Sequence, residues 1–161
     1  MWSIPDIIEK NIKQGVEEFE KDSTGAKIFL KEVPDPERFG VATINEEGKV
    51  TNIVEKPKQP ESNLAITGLY FLDRYAFDFA KNLKPSARGE LEITDILNAY
   101  LKNSSLSYNR VEGYWSDMGT IPSLDRTATF VKENKAKLDD LGRFKNYRFR
   151  LGHGEYGDYL R

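Results

Sequence analysis

Two hydrophobic patterns of different kinds follow one another at the start of the sequence, and they constrain the fold more than any other feature. Apolar residues recur at helical spacing from Ile4 to Phe19, and Ser3 with Pro5 resembles a helix start. A glycine ends this segment, and the alternating apolar positions of residues 26–33 then predict a strand. A helix that leads closely into a strand favours the α/β class.

The rest of the chain continues to alternate between strand and helix patterns. Two short apolar runs flank a Glu-Glu-Gly-Lys turn and predict a β-hairpin. Residues 64–72 are typical of a strand, and residues 121–138 predict a long helix with Leu124, Ala128 and Val131 on one face. We therefore predict an α/β fold with a mixed sheet flanked by helices. Its strands are expected at residues 26–33, 40–45, 49–55, 64–72 and 106–111, with further helices at residues 75–83 and 91–101.

Charge and cysteine content exclude several function classes. The 26 acidic and 24 basic residues leave a net charge of −2, which favours neither nucleic acid nor an anionic membrane as a partner. No apolar run approaches the roughly 18 residues that are needed to cross a bilayer. The absence of cysteine removes disulfides, thiolate metal sites and thiol nucleophiles. We expect a cytoplasmic protein without nucleic-acid or membrane partners.

Four polar clusters are not explained by the hydrophobic pattern, and each has a structural interpretation beside a functional one. Gly40 follows Arg38 and Phe39, where a glycine can simply permit a backbone shape that other residues avoid. Glu55 and Lys56 stand at the end of the second hairpin strand, where charged pairs are most often solvated. Neither cluster by itself decides between structure and function.

The other two clusters lie in the second half of the chain. Residues 84–95 place Arg88 and Gly89 in a polar loop before an amphipathic helix. An arginine at a helix start suits a phosphate, and a capped helix with an exposed arginine is the structural alternative. Asp117 stands between an aromatic pair and a glycine turn, where a carboxylate is more often a turn or cap residue than a metal ligand.

All four clusters occur together, and in the same order, in one known family. On these motifs the sequence from about residue 4 to about residue 135 resembles sugar-1-phosphate nucleotidyltransferases, and among them the glucose-1-phosphate thymidylyltransferases. The run from Pro85 to Asp95 is the most specific of the motifs. The matching segments are Val33-Pro-Asp-Pro-Glu-Arg-Phe-Gly-Val41, Val54-Glu-Lys-Pro57, Asn63-Leu-Ala-Ile-Thr-Gly-Leu-Tyr70, residues 84–95 and Trp115-Ser-Asp-Met-Gly-Thr120.

The resemblance implies a reaction in which glucose 1-phosphate attacks the α-phosphorus of dTTP with Mg²⁺, giving dTDP-glucose and pyrophosphate. It places Gly40 and Glu55 at the sugar, and Lys56 and Arg88 at its phosphate. Asp117 matches the second of two metal-binding aspartates in the family. The resemblance completes the sugar pocket with three residues of one strand: Thr67, Gly68 and Tyr70.

The resemblance also implies that part of the family's fold is missing from this sequence. Family members carry a Gly-rich loop with an arginine, a Pro-Lys pair and a Gly-Asp pair that supplies the first metal aspartate, and we find none of these here. Residues 1–141 are expected to form the sugar-phosphate half without the amino-terminal nucleotide-binding strands, and residues 142–161 an aromatic, arginine-rich tail. The chain is then a truncated or split enzyme that needs a separate amino-terminal half for turnover.

Two alternatives stay open beside the split enzyme. The chain is either a noncatalytic module that binds a sugar phosphate or a nucleotide sugar, or an inactive remnant. Loss of half the sheet would leave apolar surface on the helix at Ile4 and on the strand at Ala26. We therefore expect a homo-oligomer, or docking on a homologous subunit, that covers this surface.

Overall fold

The computed structural model describes residues 12–117 and 119–134. All five predicted strands and the predicted helices are confirmed within this part. The predicted helix start near Ile4 and the tail at residues 142–161 lie outside the described residues. The elements in chain order are α1 (Ile12–Asp22), β1 (Ala26–Glu32), a 3-10 turn (Pro36–Arg38), β2 (Gly40–Ile44), β3 (Val50–Glu55), β4 (Leu64–Leu72), α2 (Ala76–Lys81), α3 (Ile93–Lys102), β5 (Leu106–Arg110) and α4 (Ile121–Glu133).

The five strands form one mixed sheet in the order β3-β2-β4-β1-β5. β1 runs parallel to β5 and antiparallel to β4, and β2 is antiparallel to both β3 and β4. The predicted α/β class, with a mixed sheet flanked by helices, is confirmed. The strand order is information that no local sequence pattern contains. None of the described helices is long and apolar enough to be a candidate membrane span.

One face of β1 is covered by α1 through aromatic packing. The ring of Phe29 meets the ring of Phe71 edge to face at 5.4 Å, and Phe19 of α1 stacks on Phe71 at 5.7 Å. A Cβ atom at Gly15 would lie 2.5 Å from the Phe29 ring. Glycine at this helix position therefore permits the close approach of α1 to the sheet.

The opposite face of β1 carries the main core. Ile28 and Leu30 are fully buried there, and α3 covers this face with Leu97 and Tyr100. Burial on both faces means that the apolar surface expected on the strand at Ala26 is not exposed. The reason lies in the packing, because α1 covers one face of β1 and α3 covers the other, while β4 and β5 pair with its two edges.

Hydrogen bonds of the Asp73 carboxylate connect the turn after β4 with the start of β1 and with α3. Asp73 accepts hydrogen bonds from the amide of Gly25 (2.6 Å), the amide of Tyr75 (2.9 Å) and the hydroxyl of Tyr100 (2.5 Å). Burial raises the pKa of Asp73, but the hydrogen bonds from Tyr100 and from the two amides outweigh burial and hold the pKa below its ordinary value. Burial and the bond to Asp73 raise the pKa of the Tyr100 hydroxyl.

β2 and β4 stay together only at one end. The one described residue pair between these strands is Val41 with Ala65. Along the rest of its length β2 pairs with β3 in the hairpin. Among the described residues, no strand runs along the β2 side of β4 from Gly68 to Leu72. Among the described strands, none therefore lies on the β2 side of the second half of β4, and we call this side the open side of β4.

α4 buries polar positions and exposes apolar ones. Its start is capped by a reciprocal pair, in which the amide of Ser123 donates to Thr120 Oγ1 at 3.3 Å and the amide of Thr120 donates to Ser123 Oγ at 3.2 Å. Ser123 and Thr127 are buried. The predicted apolar face exists, but its members are exposed: Leu124, Ala128 and Val131.

Candidate functional site

The facing ends of β2 and β3 meet the amino end of α3, and this corner holds three of the predicted site residues. Gly40 pairs with Glu55 in the β2–β3 register. A Cβ atom at Gly40 would lie 2.9 Å from Thr94 Cγ2 and 3.2 Å from Glu55 Oε2. Gly40 does not have a positive φ, so lack of space, and not an unusual backbone shape, requires glycine here. The glycine allows the Glu55 carboxylate to lie close to the backbone of β2.

Glu55 occupies a position that disfavours its charge. Burial raises the pKa of Glu55, and the neighbouring carboxylate of Glu92 raises it further. The charges of Lys56 and Arg88 and a hydrogen bond with Thr94 act in the opposite direction, yet the pKa stays above its ordinary value. An additional hydrogen-bond donor, such as a ligand hydroxyl, would therefore stabilise the ionised form of Glu55.

Arg88 reaches the same corner from the polar loop before α3. Its Nη1 lies 3.3 Å from Glu92 Oε1 and 3.7 Å from Glu55 Oε1, while its Nη2 lies 2.9 Å from Glu90 Oε2. Ser86 Oγ donates to Glu92 Oε1 at 3.0 Å and holds this buried carboxylate in place. The α3 start has no side-chain cap at Glu92, so the capped helix of the structural alternative is wrong, whereas its exposed arginine is confirmed. Arg88 belongs to an ionic cluster, and 38% of its side chain is exposed.

Lys56, directly after the last residue of β3, has an unusual backbone conformation. Its φ is +42°, in the left-handed region, which costs a non-glycine residue about 1 kcal/mol. Its amide donates to the Phe39 carbonyl at 2.9 Å, which holds the turn in place. The Lys56 side chain is exposed, as expected both for a solvated strand end and for a phosphate ligand. The assignment of Lys56 to a phosphate stays a prediction.

Asp117 lies in a second polar cluster that adjoins this corner. Arg38 donates from Nη2 to Asp117 Oδ2 at 3.2 Å and from Nη1 to Asp35 Oδ2 at 2.7 Å. The ring of Phe39 meets the ring of Trp115 edge to face at 5.3 Å. Phe39 therefore connects the two clusters, because its carbonyl accepts from the turn after Glu55 while its ring packs on Trp115, two positions before Asp117.

The described residues do not form a magnesium site on their own. Within residues 12–117 and 119–134, no group of three or more His, Cys, Asp or Glu side chains is arranged to hold a metal ion. Mg²⁺ prefers carboxylate oxygens and water, and Asp117 offers one carboxylate, which is already paired with Arg38. The Mg²⁺ assignment of Asp117 stays a prediction.

The three site residues predicted on β4 lie beside the corner and differ in their surroundings. Contact between the strands is close, because a Cβ atom at Gly40 would lie 3.5 Å from Ile66 Cδ1. Thr67 is fully buried at an irregularity in the β4–β1 pairing, and its Oγ1 makes no hydrogen bond with any described residue. Gly68 is exposed, and Tyr70 packs against the main core. Their roles in binding stay predictions.

Sequence reasoning did not assign site roles to three residues that complete the two clusters. Glu92 and Arg88 stand four positions apart around a helix start, a spacing that favours an ion pair and that could have identified Glu92. Thr94 follows two positions later and had no signal of its own. Arg38 and Asp117 are 79 positions apart, so only the folded chain reveals their contact.

Comparison with known proteins first defines the class of fold. The structure of an apo UDP-glucose pyrophosphorylase superposes with a TM-score of 0.67, covering 80% of this chain and 51% of that protein at 23% identity. This identity supports a shared fold alone. The family model described as nucleotidyl transferase matches residues 5–134, and the chain belongs to this family.

Relatives within the family agree with the resemblance drawn from the motifs. A glucose-1-phosphate thymidylyltransferase of Neisseria meningitidis is 51% identical over 110 residues, covering 67% of this chain and 38% of that protein. A nucleotidyltransferase of Haloferax volcanii, Agl11 of low-salt glycan biosynthesis, is 38% identical over 137 residues and is also covered over 38% of its length. The structure of a Bacillus anthracis protein described as a glucose-1-phosphate thymidylyltransferase is 51% identical and superposes with a TM-score of 0.70, covering 78% of this chain and 50% of that protein. The chain spans half or less of the length of these relatives.

Proposed function

We propose that the chain is the sugar-1-phosphate-binding part of a nucleotidyltransferase that converts glucose 1-phosphate and dTTP to dTDP-glucose and pyrophosphate. The observation that carries the proposal is the meeting of Gly40, Glu55 and Arg88 at the amino end of α3. These residues come from two strands and a loop, and the resemblance assigned all three to one sugar phosphate. Family membership and the thymidylyltransferases at 51% identity support the same substrate class.

The chemistry of the corner suits a sugar phosphate. An ionised carboxylate accepts hydrogen bonds only, and Glu55 would accept them from sugar hydroxyls. Arg88 and the exposed Lys56 would oppose the charge of the phosphate. A phosphate at Arg88 competes with the outer carboxylate of Glu90, which is 61% exposed. Displacement of Glu90 alone exchanges a solvated ion pair, which costs little, while the contact of Arg88 with the buried Glu92 can persist.

We infer that turnover needs an amino-terminal half that supplies the triphosphate loop and the first metal aspartate, with Asp117 as the second. The open side of β4 supports such a partner, because a strand edge with no described strand beside it can accept another strand. The exposed apolar face of α4, with Ile121 84% and Leu124 53% exposed, supports a homo-oligomer or a homologous subunit as a further partner. A cytoplasmic location fits this biosynthetic role.

A noncatalytic sugar-phosphate-binding module is the second candidate. The ion pair between Asp117 and Arg38 favours it, because the described part of the chain satisfies this aspartate without a metal. Such a module would bind the sugar phosphate equally well with and without Mg²⁺. The two candidates therefore share the sugar-phosphate site and differ in metal dependence and turnover.

The test is calorimetric titration of the chain with glucose 1-phosphate, with and without Mg²⁺. We expect Lys56→Ala and Arg88→Ala each to weaken binding about tenfold or more, because each removes a charge-assisted contact. Lys49→Ala is the matched control, since Lys49 is an exposed lysine of the same hairpin that pairs only with Glu47 among the described residues. Absence of any binding by the unmodified chain would contradict the proposed site and favour an inactive remnant.

A further inference from the structure

Arg38 connects two segments that are far apart in the sequence. One nitrogen of its guanidinium donates to Asp35 at 2.7 Å, and the other donates to Asp117 at 3.2 Å, across 79 positions of sequence. The three side chains are 28–39% exposed, so the bridge lies at the edge of the molecule. Two carboxylates thus share one cation, which a planar guanidinium can achieve because its donors point in several directions.

Aromatic contacts extend this bridge into the candidate site. The Arg38 guanidinium lies 5.3 Å from the centre of the Phe39 ring, and that ring meets Trp115 edge to face at 5.3 Å. The Phe39 carbonyl accepts the amide of Lys56 at 2.9 Å. The segment 114–117 is therefore connected, through Arg38 and Phe39, to the turn that carries Lys56 and to the start of β2.

Arg38 is also the charge that balances Asp117. The described residues around Asp117 do not fit a metal ion, since no third carboxylate or imidazole is arranged with them. The oxygen that accepts from Arg38 is Asp117 Oδ2, and a Cβ atom at Gly119 would lie 3.1 Å from this same oxygen. A cation that binds Asp117 must therefore displace the guanidinium or share the carboxylate with it.

We propose that, in this chain by itself, Arg38 is a positioning residue that balances the charge of Asp117 in place of a metal ion and fixes segment 114–117 against the turn before β2. Arg38 thereby favours the binding of the sugar phosphate and disfavours the binding of a divalent cation. It fixes segment 114–117, which adjoins the sugar-phosphate corner, and it lowers the affinity of Asp117 for a divalent cation. The effect on sugar-phosphate binding rests on the proposed function, whereas the effects on chain order and on cation binding do not.

The test compares Arg38→Gln with a closely matched control. Arg74→Gln is suitable, because Arg74 also lies over the ring of the tyrosine that follows it, at 5.2 Å, and no described ion pair joins it to a distant segment. We expect Arg38→Gln to increase amide hydrogen exchange of residues 114–117 about tenfold. It should tighten the binding of Mn²⁺, used as the probe cation, about fivefold, and Arg74→Gln should change neither quantity.

Two further variants separate positioning from a general loss of structure. Asp117→Asn removes the same bridge, so it should also speed the exchange of residues 114–117, but it should weaken Mn²⁺ binding. Arg38→Lys keeps the charge without the two-armed geometry, so Mn²⁺ affinity should stay near that of the unmodified chain while exchange increases. Opposite cation effects in Arg38→Gln and Asp117→Asn cannot arise from unfolding, which would weaken binding in both.

Glucose 1-phosphate binding completes the test. Arg38→Gln should weaken glucose 1-phosphate binding several-fold, because segment 114–117 beside the corner loses its fixed position. Failure of the unmodified chain to bind glucose 1-phosphate would count against the proposed function, while exchange and Mn²⁺ affinity would still decide the role of Arg38. Unchanged exchange of residues 114–117, or unchanged Mn²⁺ affinity, in Arg38→Gln would overturn the proposal for Arg38.

Discussion

Glu55 is partly buried and lies near one carboxylate and two cations. We expect its charge to lower the stability of the fold and to strengthen ligand binding. We expect Glu55→Gln to leave the free energy of unfolding at about pH 7 unchanged or increased, and to weaken glucose 1-phosphate binding. A raised pKa in the folded state means that the unmodified chain has its full stability below the unfolded pKa of about 4.3 and loses some as the pH rises through the folded pKa. Glutamine removes this loss.

Urea unfolding between about pH 4 and pH 8, together with calorimetric titration, checks this expectation. Glu112→Gln serves as the control, because Glu112 is an exposed glutamate outside the corner. A large loss of stability in Glu55→Gln at neutral pH would contradict it, since the carboxylate would then be a net support of the fold.

Asp73 is the opposite case, a carboxylate whose lowered pKa supports the fold. Asp73→Asn should lower the free energy of unfolding at about pH 7 by about 2 kcal/mol, because charge-assisted hydrogen bonds from Gly25, Tyr75 and Tyr100 are lost. The stability due to Asp73 is present above its unfolded pKa of about 3.9 and is lost as the pH falls through the lower folded value.

The measurement for Asp73 is urea unfolding as a function of pH. The unmodified chain should lose more stability than Asp73→Asn as the pH falls below about 4. Asp78→Asn is the control, because its ion pair with Lys81 is exposed and should contribute less than about 0.5 kcal/mol. Equal effects of the two substitutions would show that Asp73 does not join β1, β4 and α3.

At the scale of the single element, the reciprocal cap is the feature that holds the first turn of α4. Thr120→Ala should lower the free energy of unfolding by about 1 kcal/mol and speed amide exchange in the first turn, because the reciprocal bonds with Ser123 are lost. Thr129→Ala, at an exposed position of the same helix, should be neutral or slightly stabilising. Similar losses in both variants would argue against a specific role for the cap.

The elements themselves follow from local sequence patterns, with one instructive difference. Strand β4 at Leu64–Leu72 and the β2–β3 hairpin lie where the apolar runs of the sequence predicted them. In α4 the periodicity correctly grouped Leu124 with Val131, but both are exposed while Ser123 and Thr127 are buried. Periodicity identifies a face, and only the neighbouring elements decide whether that face is covered.

At the scale of the whole molecule, the open side of β4 predicts where a second polypeptide would dock. Co-expression with the part of the Bacillus anthracis relative that this chain does not cover should give a stable pair with nucleotidyltransferase turnover. Amide exchange should slow along residues 68–72, because an added strand would pair there, and not along the outer edge of β5.

An active-site variant provides the control for this experiment. Arg88→Ala should still form the pair but should lose turnover, because the arginine lies in the corner and not at the open side of β4. Failure of the two polypeptides to associate, or slowed exchange at β5 alone, would contradict docking at β4.

The sequence by itself determined the kinds of element, their approximate bounds and most of the candidate site. Hydrophobic periods depend on a few neighbouring residues, and the motifs around Gly40, Glu55 and Arg88 are short enough to recognise in one dimension. The tertiary structure alone decided the strand order, which encloses β1, and the contacts between residues that are distant in sequence, such as that of Arg38 with Asp117. Such contacts depend on how the whole chain buries its apolar surface, so no local pattern contains them.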